Sequence, residues 1–291
     1  MKIKYTIGTM FIEKNGKEKE REGEDMEAYT SFAVVYDMFM DNIPYEEWCD
    51  YLTELLQEQG VENGLLLDLG CGTGSMTECL ATRGYDMIGI DYSDDMLEIA
   101  MEKRVQSGHD ILYLQQDMRE MELYGTVRAI VSVCDSMNYI LEYEDLVRVL
   151  QKANLYLDPD GVFIFDMNTD YKYREILGES TIAENREESS FIWENYFDPQ
   201  DQINEYDLTL FIREDLLGGT EKNYLRFQET HYQRAYSLAE VQEAVKEAGM
   251  EFVAAYDAFT KKPVRPDSER IYIVVREQGK KKEDVVSTER Q

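Results

Sequence analysis

One stretch decides the fold of this 291-residue chain: Leu65-Leu66-Leu67-Asp68-Leu69-Gly70-Cys71-Gly72-Thr73-Gly74-Ser75. An apolar run ends in an acid, three glycines follow at every second position, and a helix-like segment begins directly after them. This order predicts a buried strand, a tight turn and a helix N-terminus. Glycine permits positive φ and close approach of a ligand, and the helix start adds unpaired N–H groups. The turn therefore predicts a site for a nucleotide-like or anionic group.

The spacing of the glycines separates two classes of nucleotide-binding protein. Dinucleotide folds place the third glycine of G-x-G-x-x-G where this chain has Ser75. Here the third glycine comes one residue earlier, and an acid stands two residues before the first glycine. The segment resembles motif I of the class I S-adenosylmethionine (AdoMet) methyltransferases, E/D-x-G-x-G-x-G, whose marked positions are Asp68, Gly70, Gly72 and Gly74. Cys71 lies within the turn. The alternatives are an NAD(P)-dependent oxidoreductase and a non-catalytic AdoMet-binding protein.

A second predicted strand, residues 86–91, ends in another acid, Asp91. A carboxylate at this position can accept hydrogen bonds from both ribose hydroxyls, a feature that dinucleotide folds share. Ser93 predicts the N-cap of a helix over residues 94–106. We therefore expect the cofactor to contact Asp91, Tyr92 and Met96.

A third predicted strand, residues 111–114, runs into Gln116-Asp117-Met118. In the methyltransferase family an acid just after this strand contacts the adenine amino group, and the next residue packs near the ring. The resemblance assigns these roles to Asp117 and Met118, with Gln116 beside them. A surface loop is the alternative interpretation.

The fourth predicted strand, residues 129–133, is followed by Cys134-Asp135-Ser136-Met137-Asn138-Tyr139. This resembles the family's motif beside the transferred methyl group. We expect Cys134 at the cofactor, and Asp135, Asn138 and Tyr139 beside the methyl group. After the fifth predicted strand, residues 161–166, Asp166 and Asn168 are further candidates. Loop capping is the alternative role of all these polar side chains.

The N-terminal part resembles small bacterial members of the family, which begin with a Tyr-x-x-Phe-Ala-x-x-Tyr-Asp helix, here residues 29–37. A predicted helix over residues 28–40 places Tyr29 and Tyr36 on one face. Core packing is one explanation, and a lid over the cofactor, which the family's N-terminal helices form, is the other. Because a buried tyrosine hydroxyl needs a partner, both tyrosines are predicted cofactor contacts.

The alternation of strands and helices breaks after the fifth strand. Residues 180–235 contain predicted strands 190–196, 204–212 and 224–232, with a hairpin signal at Gly218-Gly219. This predicts an antiparallel insertion. His231 is its only histidine and suits a base at neutral pH, although a half-buried sheet histidine is equally consistent. The catalytic candidates are therefore His231, Tyr139 and Asp135, and aromatic residues such as Trp193 line either a substrate pocket or the insertion's own core.

The predicted fold class is α/β, a Rossmann-like, seven-stranded, mostly parallel sheet with helices on both faces and an antiparallel β insertion after the fifth strand. We expect a disordered leader (1–25), an AdoMet-binding core with N-terminal lid helices (26–178), the insertion as substrate or oligomer region (179–235), the rest of the core (236–277) and a disordered tail (278–291). Met26, where the familiar fold would begin, is the expected natural start.

The formal net charge of −30 narrows the class of partner. Residues 1–25 and 277–291 each carry equal numbers of basic and acidic side chains, so the excess lies between them. Such a surface repels phosphate backbones, which argues against a nucleic-acid substrate. No apolar run approaches membrane-spanning length. We expect a small-molecule acceptor, with the insertion as a candidate homodimer surface.

The cysteines and histidines argue against a metal site. The four cysteines show no metal-ligand spacing, and the chain has two histidines. We expect reduced cysteines in a cytoplasmic protein. The methyl acceptor and the atom that is methylated are not readable from these residues.

Overall fold

The structure, a computed structural model, describes residues 33–281. Helices lie between most of the first five strands, the next four strands have no α-helix between them, and one α-helix precedes the last two strands. The strands are β1 (Leu65–Leu69), β2 (Asp86–Asp91), β3 (Ile111–Gln115), β4 (Val127–Ser132), β5 (Leu157–Asn168), β6 (Thr181–Asn185), β7 (Ser189–Asp198), β8 (Ile203–Arg213), β9 (Tyr224–Arg234), β10 (Glu251–Asp257) and β11 (Arg270–Arg276). The helices are α1 (33–39), α2 (Tyr45–Glu58), α3 (Ser75–Thr82), α4 (Asp94–Ser107), α5 (Tyr143–Tyr156) and α6 (Leu238–Glu247).

Seven strands form one sheet in the order β10-β11-β5-β4-β1-β2-β3. Neighbours from β5 to β3 pair in parallel, whereas β11 runs antiparallel to both β5 and β10. Parallel strands covered on both faces need nearly continuous apolar sequence, which β1 and β4 provide. The predicted Rossmann-like sheet is confirmed. The carboxyl ends of β1, β2, β4 and β5 meet at one edge, and the candidate site lies there.

Helices cover both faces of the sheet, as predicted. Leu67 and Phe163 point to the face covered by α5 and α6, and Leu66 and Ile164 point to the face covered by α2 and α3. Successive strand residues point to opposite faces, so each central strand contributes to both cores. Among residues 33–281 no helix has the length and apolar composition of a membrane span.

The insertion is a separate antiparallel sheet in the order β6-β7-β8-β9. The sequence predicted three of its strands and missed β6, a short edge strand with mixed polarity. Val35 and Phe39 of α1 pack with Leu208 and Leu210 on the inner face of this sheet. Helix α1 is therefore one of the elements that hold the insertion against the rest of the molecule.

Some local predictions need correction. The stretch Pro159-Asp160-Gly161 predicts a turn ahead of the fifth strand, but β5 begins at Leu157 and contains this stretch as an irregularity, with Asp160 at φ 62°. Of the predicted helix over residues 28–40, the described part is helical from 33 to 39. Tyr29, the proposed start at Met26, the leader and the tail beyond residue 281 lie outside the described residues. The predicted N-cap Ser93 is confirmed, since its hydroxyl accepts the Met96 N–H.

Candidate active site

The glycine turn follows β1 with all three glycines at positive φ. A Cβ added at Gly70 would lie 2.7 Å from Cβ of Ser136, and one at Gly74 would lie 2.5 Å from the Tyr113 hydroxyl. A Cβ at Gly72 would meet nothing within 4 Å. Packing therefore requires glycine at the two outer positions. The middle glycine faces open space, where a ligand can approach the backbone.

Asp91 lies at the end of β2, beside the turn. Its carboxylate accepts the Gly72 N–H at 2.7 Å on one oxygen and the Ser93 N–H at 2.9 Å on the other. Burial raises the pKa of Asp91, and these backbone hydrogen bonds oppose the rise. Each oxygen keeps one further lone pair, which suits two ribose hydroxyls. The residues present therefore fit the ribose of AdoMet.

Asp68, the acid of the glycine motif, is buried and accepts a hydrogen bond from Thr77 Oγ1 at 2.6 Å. It thereby ties the end of β1 to α3. Burial raises the pKa of Asp68 to about 7, against the opposing effect of the Thr77 hydrogen bond. Asp68 therefore stabilises the glycine turn, and it also lies near the edge of the sheet where the cofactor is expected.

The predicted adenine contact is engaged within the chain. Arg119 holds both oxygens of Asp117, with Nε at 2.9 and 3.0 Å, and its Nη1 also reaches Asp145 at 3.2 Å. Met118 lies beside the turn, with its methyl group 3.4 Å from a Cβ built at Gly70. The adenine contact of Asp117 stays a prediction, and it requires Arg119 to release part of this carboxylate.

The other predicted cofactor contacts differ in how firmly the rest of the chain holds their side chains. The Gln116 side chain is held by the backbone of Glu122, to which it donates and from which it accepts. Tyr92 is exposed, at 55%, and Cys71 is buried. These assignments, like those of Met96 and Cys134, stay predictions.

Helix α1 is fastened to the glycine turn by Asp37. One oxygen of Asp37 accepts from Thr73 Oγ1 at 2.7 Å, and the other pairs with Lys103 Nζ at 2.6 Å. Sequence reasoning did not single out Asp37, although it directly follows Tyr36 in the Tyr-Asp pair. Burial and then the neighbouring Cys134 raise the pKa of Tyr36. The part of the predicted lid helix that the structure describes thus contacts the glycine turn.

The loop after β4 has a strained backbone, which a buried carboxylate and an arginine stabilise. Cys134 and Asp135 both have left-handed backbone, at φ 61° and 56°. Their N–H groups donate to Asp166, a fully buried carboxylate, at 3.1 and 2.8 Å. Arg270 bridges Asp166 and Asp135, at 2.7 Å from each. Such backbone persists only where its surroundings fix it, and this ion-pair network does so.

The same loop is tied to the insertion. Gln233 of β9 donates to the second oxygen of Asp135 at 2.7 Å. Asn138, fully buried, donates to the carbonyls of Asn168 and Arg234 at 3.1 and 2.8 Å. These contacts fit the loop-capping alternative for Asp135, Asn138, Asp166 and Asn168.

Two of the predicted catalytic side chains meet. The Tyr139 hydroxyl lies 3.4 Å from Nδ1 of His231 and 2.6 Å from the Tyr206 hydroxyl. The imidazole stacks on the Tyr206 ring with centroids 4.7 Å apart, and Tyr206 stacks on Trp193 at 4.3 Å. On its other side, Nε2 of His231 lies 3.1 Å from Glu229 Oε2. This polar cluster joins the loop after β4 to the inner face of the insertion.

Sequence reasoning missed Glu229, and it named Tyr206 only among the aromatic residues that line either a substrate pocket or the insertion's own core. Glu229 stands two residues before His231 on one strand, so the period of two places both on the same face. That signal was available, but without the strand pairing nothing showed that this face was buried. Among residues 33–281 no group of three or more His, Cys, Asp or Glu side chains could hold a metal ion.

The glycine turn, the carboxylate after β2 and the strand order together define an AdoMet-binding α/β fold. The sequence model of the methyltransferase domain matches residues 66–161. The chain is 34% identical over 245 residues to the putative methyltransferase YqeM of Bacillus subtilis. This alignment covers 84% of this chain and 95% of the relative. The chain belongs to the S-adenosylmethionine-dependent methyltransferases, and its methyl donor is AdoMet.

Two further comparisons agree with this family. The crystal structure of an S-adenosylmethionine-dependent methyltransferase from Clostridium acetobutylicum matches with a TM-score of 0.76 and 30% identity, over 86% of this chain and 99% of that chain. A dTDP-amino-sugar N,N-dimethyltransferase of Streptomyces venezuelae is 31% identical over 136 residues, 46% of this chain and 56% of the relative. The predicted family is confirmed.

Replacing Asp91 with alanine should weaken AdoMet binding by roughly 2–4 kcal/mol, because two charge-assisted hydrogen bonds, each worth about 1.5–3 kcal/mol, are lost and water returns part of that energy. Titration calorimetry measures the change. The control is Asp94→Ala, which removes an exposed carboxylate three residues later. Unchanged affinity in a folded Asp91→Ala protein would show that this carboxylate does not reach the ribose.

Asp68 should make stability depend on pH. Burial raises its pKa from the ordinary 3.8 of an aspartate to about 7, so the folded chain binds this proton more tightly than the unfolded chain. Raising the pH from about 4 to about 7 therefore lowers the free energy of unfolding, by at most roughly 4 kcal/mol. Asp68→Asn should lack this loss.

Urea unfolding of wild type and Asp68→Asn at both ends of that pH window measures the effect. The wild type should lose stability relative to the variant as the pH rises. Asp86→Asn, at an exposed position at the start of β2, serves as the control and should follow the wild type. Parallel curves for wild type and Asp68→Asn would contradict the assignment.

Proposed function

We propose that this methyltransferase transfers the methyl group of AdoMet to a small molecule held between the glycine-turn edge and the inner face of the insertion. The observation that carries the proposal is the contact of Tyr139 with His231 and Tyr206. It brings polar side chains of the insertion to the loop that follows β4. That loop lies at the edge where Gly72 and Asp91 fit the cofactor.

The cofactor-binding residues follow from their places along that edge. Asp91 would take the ribose hydroxyls and the open side of Gly72 would face the ligand. Asp117, Met118 and Gln116 follow β3 and are proposed for the adenine end. Tyr36 and Cys134 are proposed for the end that carries the methyl group, with Tyr92 and Met96 beside the ribose.

Bound AdoMet supplies an activated methyl group, so the chain's own task is largely one of position. Holding a nucleophile in line with the methyl carbon supplies up to roughly 7–11 kcal/mol of a reaction barrier. Helix α1 contacts both the glycine turn and the insertion, and so covers the space between them. Excluding water from that space strengthens every electrostatic interaction within it.

The acceptor proposed is a small molecule and not a nucleic acid. The whole net charge of −30 lies on residues 26 to 276, and a surface this negative repels phosphate backbones. The Streptomyces venezuelae relative is named as an amino-sugar N,N-dimethyltransferase. This name favours an acceptor of similar size for the present chain. The aromatic faces of Trp193 and Tyr206 provide apolar surface for a compact ring.

We propose a cytoplasmic protein, because the four cysteines, all within the described residues, are free. The insertion remains the proposed surface for a homodimer. A non-catalytic AdoMet-binding protein is the alternative, and methyl transfer separates it from an enzyme.

AdoMet and S-adenosylhomocysteine should bind with micromolar affinity, and NAD should not bind. Ser75 occupies the position of the dinucleotide glycine, and Asp91 offers its carboxylate to a ribose. Calorimetric titration of the full chain with the three ligands measures this. Tight NAD binding in the absence of AdoMet binding would overturn the assignment.

The cofactor and acceptor parts of the site should separate by mutation. Asp37→Ala unfastens α1 from the glycine turn and should weaken AdoMet binding by about 1–2 kcal/mol. Trp193→Ala removes an aromatic face of the insertion and should lower acceptor turnover about tenfold while AdoMet affinity stays nearly constant. Calorimetry and a radiolabelled methyl-transfer assay measure the two effects.

Both variants have matched controls in the chain. Asp41→Ala removes a carboxylate that pairs at 2.7 Å with Arg186, which lies between β6 and β7. This change should leave AdoMet affinity unchanged. Tyr196→Ala removes an exposed aromatic residue from the outer face of the same strand as Trp193. Loss of AdoMet affinity in Trp193→Ala, with normal affinity in Asp37→Ala, would show that the two elements have exchanged roles.

A further inference from the structure

Glu229 is a buried carboxylate on the inner face of the insertion sheet. Its side chain is 5% exposed, and Leu208 lies opposite it in register on β8. Oε2 lies 3.1 Å from His231 Nε2, whereas Oε1 is buried and has no hydrogen-bond partner among the described residues. The strand thus carries an acid beside Leu208 and the other apolar residues of this face.

Packing does not explain an acid at this position. The neighbouring inner-face residues Leu208, Leu210 and Phe227 belong to one apolar cluster. An aliphatic side chain would join that cluster and would leave no unpaired oxygen, which costs free energy when buried. Polar residues that break the local pattern in this way are expected at functional sites.

An ionised Glu229 would select the tautomer of His231. An ionised carboxylate only accepts hydrogen bonds, so the imidazole nitrogen that faces Glu229 carries the proton in the neutral ring. Nε2 is therefore N–H, and Nδ1 keeps its lone pair. Nδ1 is the nitrogen that lies 3.4 Å from the Tyr139 hydroxyl. The proton-accepting atom of His231 thus points toward the loop after β4, where the methyl group is expected.

Tyr139 and Tyr206 hold the imidazole of His231 in place. Tyr139 and Tyr206 share a hydrogen bond of 2.6 Å, and the Tyr206 ring stacks on the imidazole at an interplanar angle of 9°. The stack holds the imidazole plane while Glu229 holds its tautomer. A base oriented by a carboxylate on its far nitrogen is the arrangement that general-base catalysis uses repeatedly.

We propose that Glu229 is a positioning residue that sets His231 as a base, and that the acceptor is an amine or hydroxyl compound whose nucleophilic atom carries a proton. This inference rests on the methyl transfer proposed above. The acceptor's lone pair forms the bond to the methyl carbon while the methyl–sulfur bond breaks and leaves its electron pair on sulfur. The acceptor's proton passes to the Tyr139 oxygen as the Tyr139 proton passes to Nδ1, and Glu229 stabilises the imidazolium.

The first test measures which imidazole nitrogen of His231 carries the proton. The full chain has two histidines, so isotope-labelled histidine nitrogens give few signals. At alkaline pH, long-range nitrogen–proton spectra of the wild type should show His231 protonated at Nε2. In Glu229→Leu the acceptor for that proton is gone, and the two tautomers should mix.

His109 is the internal control, because its Nδ1 lies 2.7 Å from Glu78 on the other side of the core. Glu78→Gln should change the signals of His109 and leave those of His231 in place. A wild-type His231 protonated at Nδ1, or an unchanged tautomer in Glu229→Leu, would overturn the positioning role.

The second test follows label from tritiated AdoMet into a small-molecule extract of the cells that naturally make the protein. Glu229→Leu should transfer label about 10²-fold more slowly than the wild type, with unchanged AdoMet affinity and an equal or higher melting temperature. Glu229→Gln keeps the shape of the side chain and should also be slow. Gln228→Leu, at the exposed neighbouring position on the outer face, should be as active as the wild type.

The possible outcomes distinguish the positioning role of Glu229 from methyl transfer itself. A Glu229→Leu protein as fast as the wild type contradicts the positioning role and leaves methyl transfer standing. A wild type that binds AdoMet but transfers no label to the extract contradicts the proposed function, and the role of Glu229 falls with it.

Discussion

The ion-pair network around Asp166 holds the active-site edge together. This carboxylate is fully buried at the end of β5, and it accepts the N–H groups of two consecutive residues with left-handed backbone, Cys134 and Asp135. Each such residue costs about 1–3 kcal/mol. Arg270 compensates the buried charge and reaches Asp135 as well. The loop after β4 is therefore held in one conformation, and the position of Tyr139 depends on it.

Helix α1 connects the two halves of the site through contacts of different kinds. Toward the glycine turn the contacts are polar, since Asp37 meets Thr73 and Lys103. Toward the insertion they are apolar, since Val35 and Phe39 pack on the inner face of that sheet. One short helix thus borders both the cofactor edge and the proposed acceptor space.

The sequence predicted the core of the fold well because the signals were local. The apolar runs of β1, β2 and β4, the glycine turn and the Ser93 cap each depend on residues that are near one another in the chain. The same holds for the places of Asp68, Gly72 and Asp91 at the cofactor edge. The short edge strand β6 was missed because its mixed polarity carries no period. The turn signal at 159–161 lies inside β5 as an irregularity, because β5 pairs with β4 both before it, at Leu157, and after it, at Val162.

By itself the sequence determined the class of fold, the cofactor turn and the identity of the candidate polar residues, because strand period, glycine spacing and helix caps are properties of short segments. Only the tertiary structure decided which of those residues act together. Tyr139 and His231 are separated by 92 positions and meet through the pairing of β8 with β9 and the strained loop after β4. Glu229 became a candidate only when burial was known, because whether a carboxylate is solvated or desolvated depends on the packing around it and not on its neighbours in the chain.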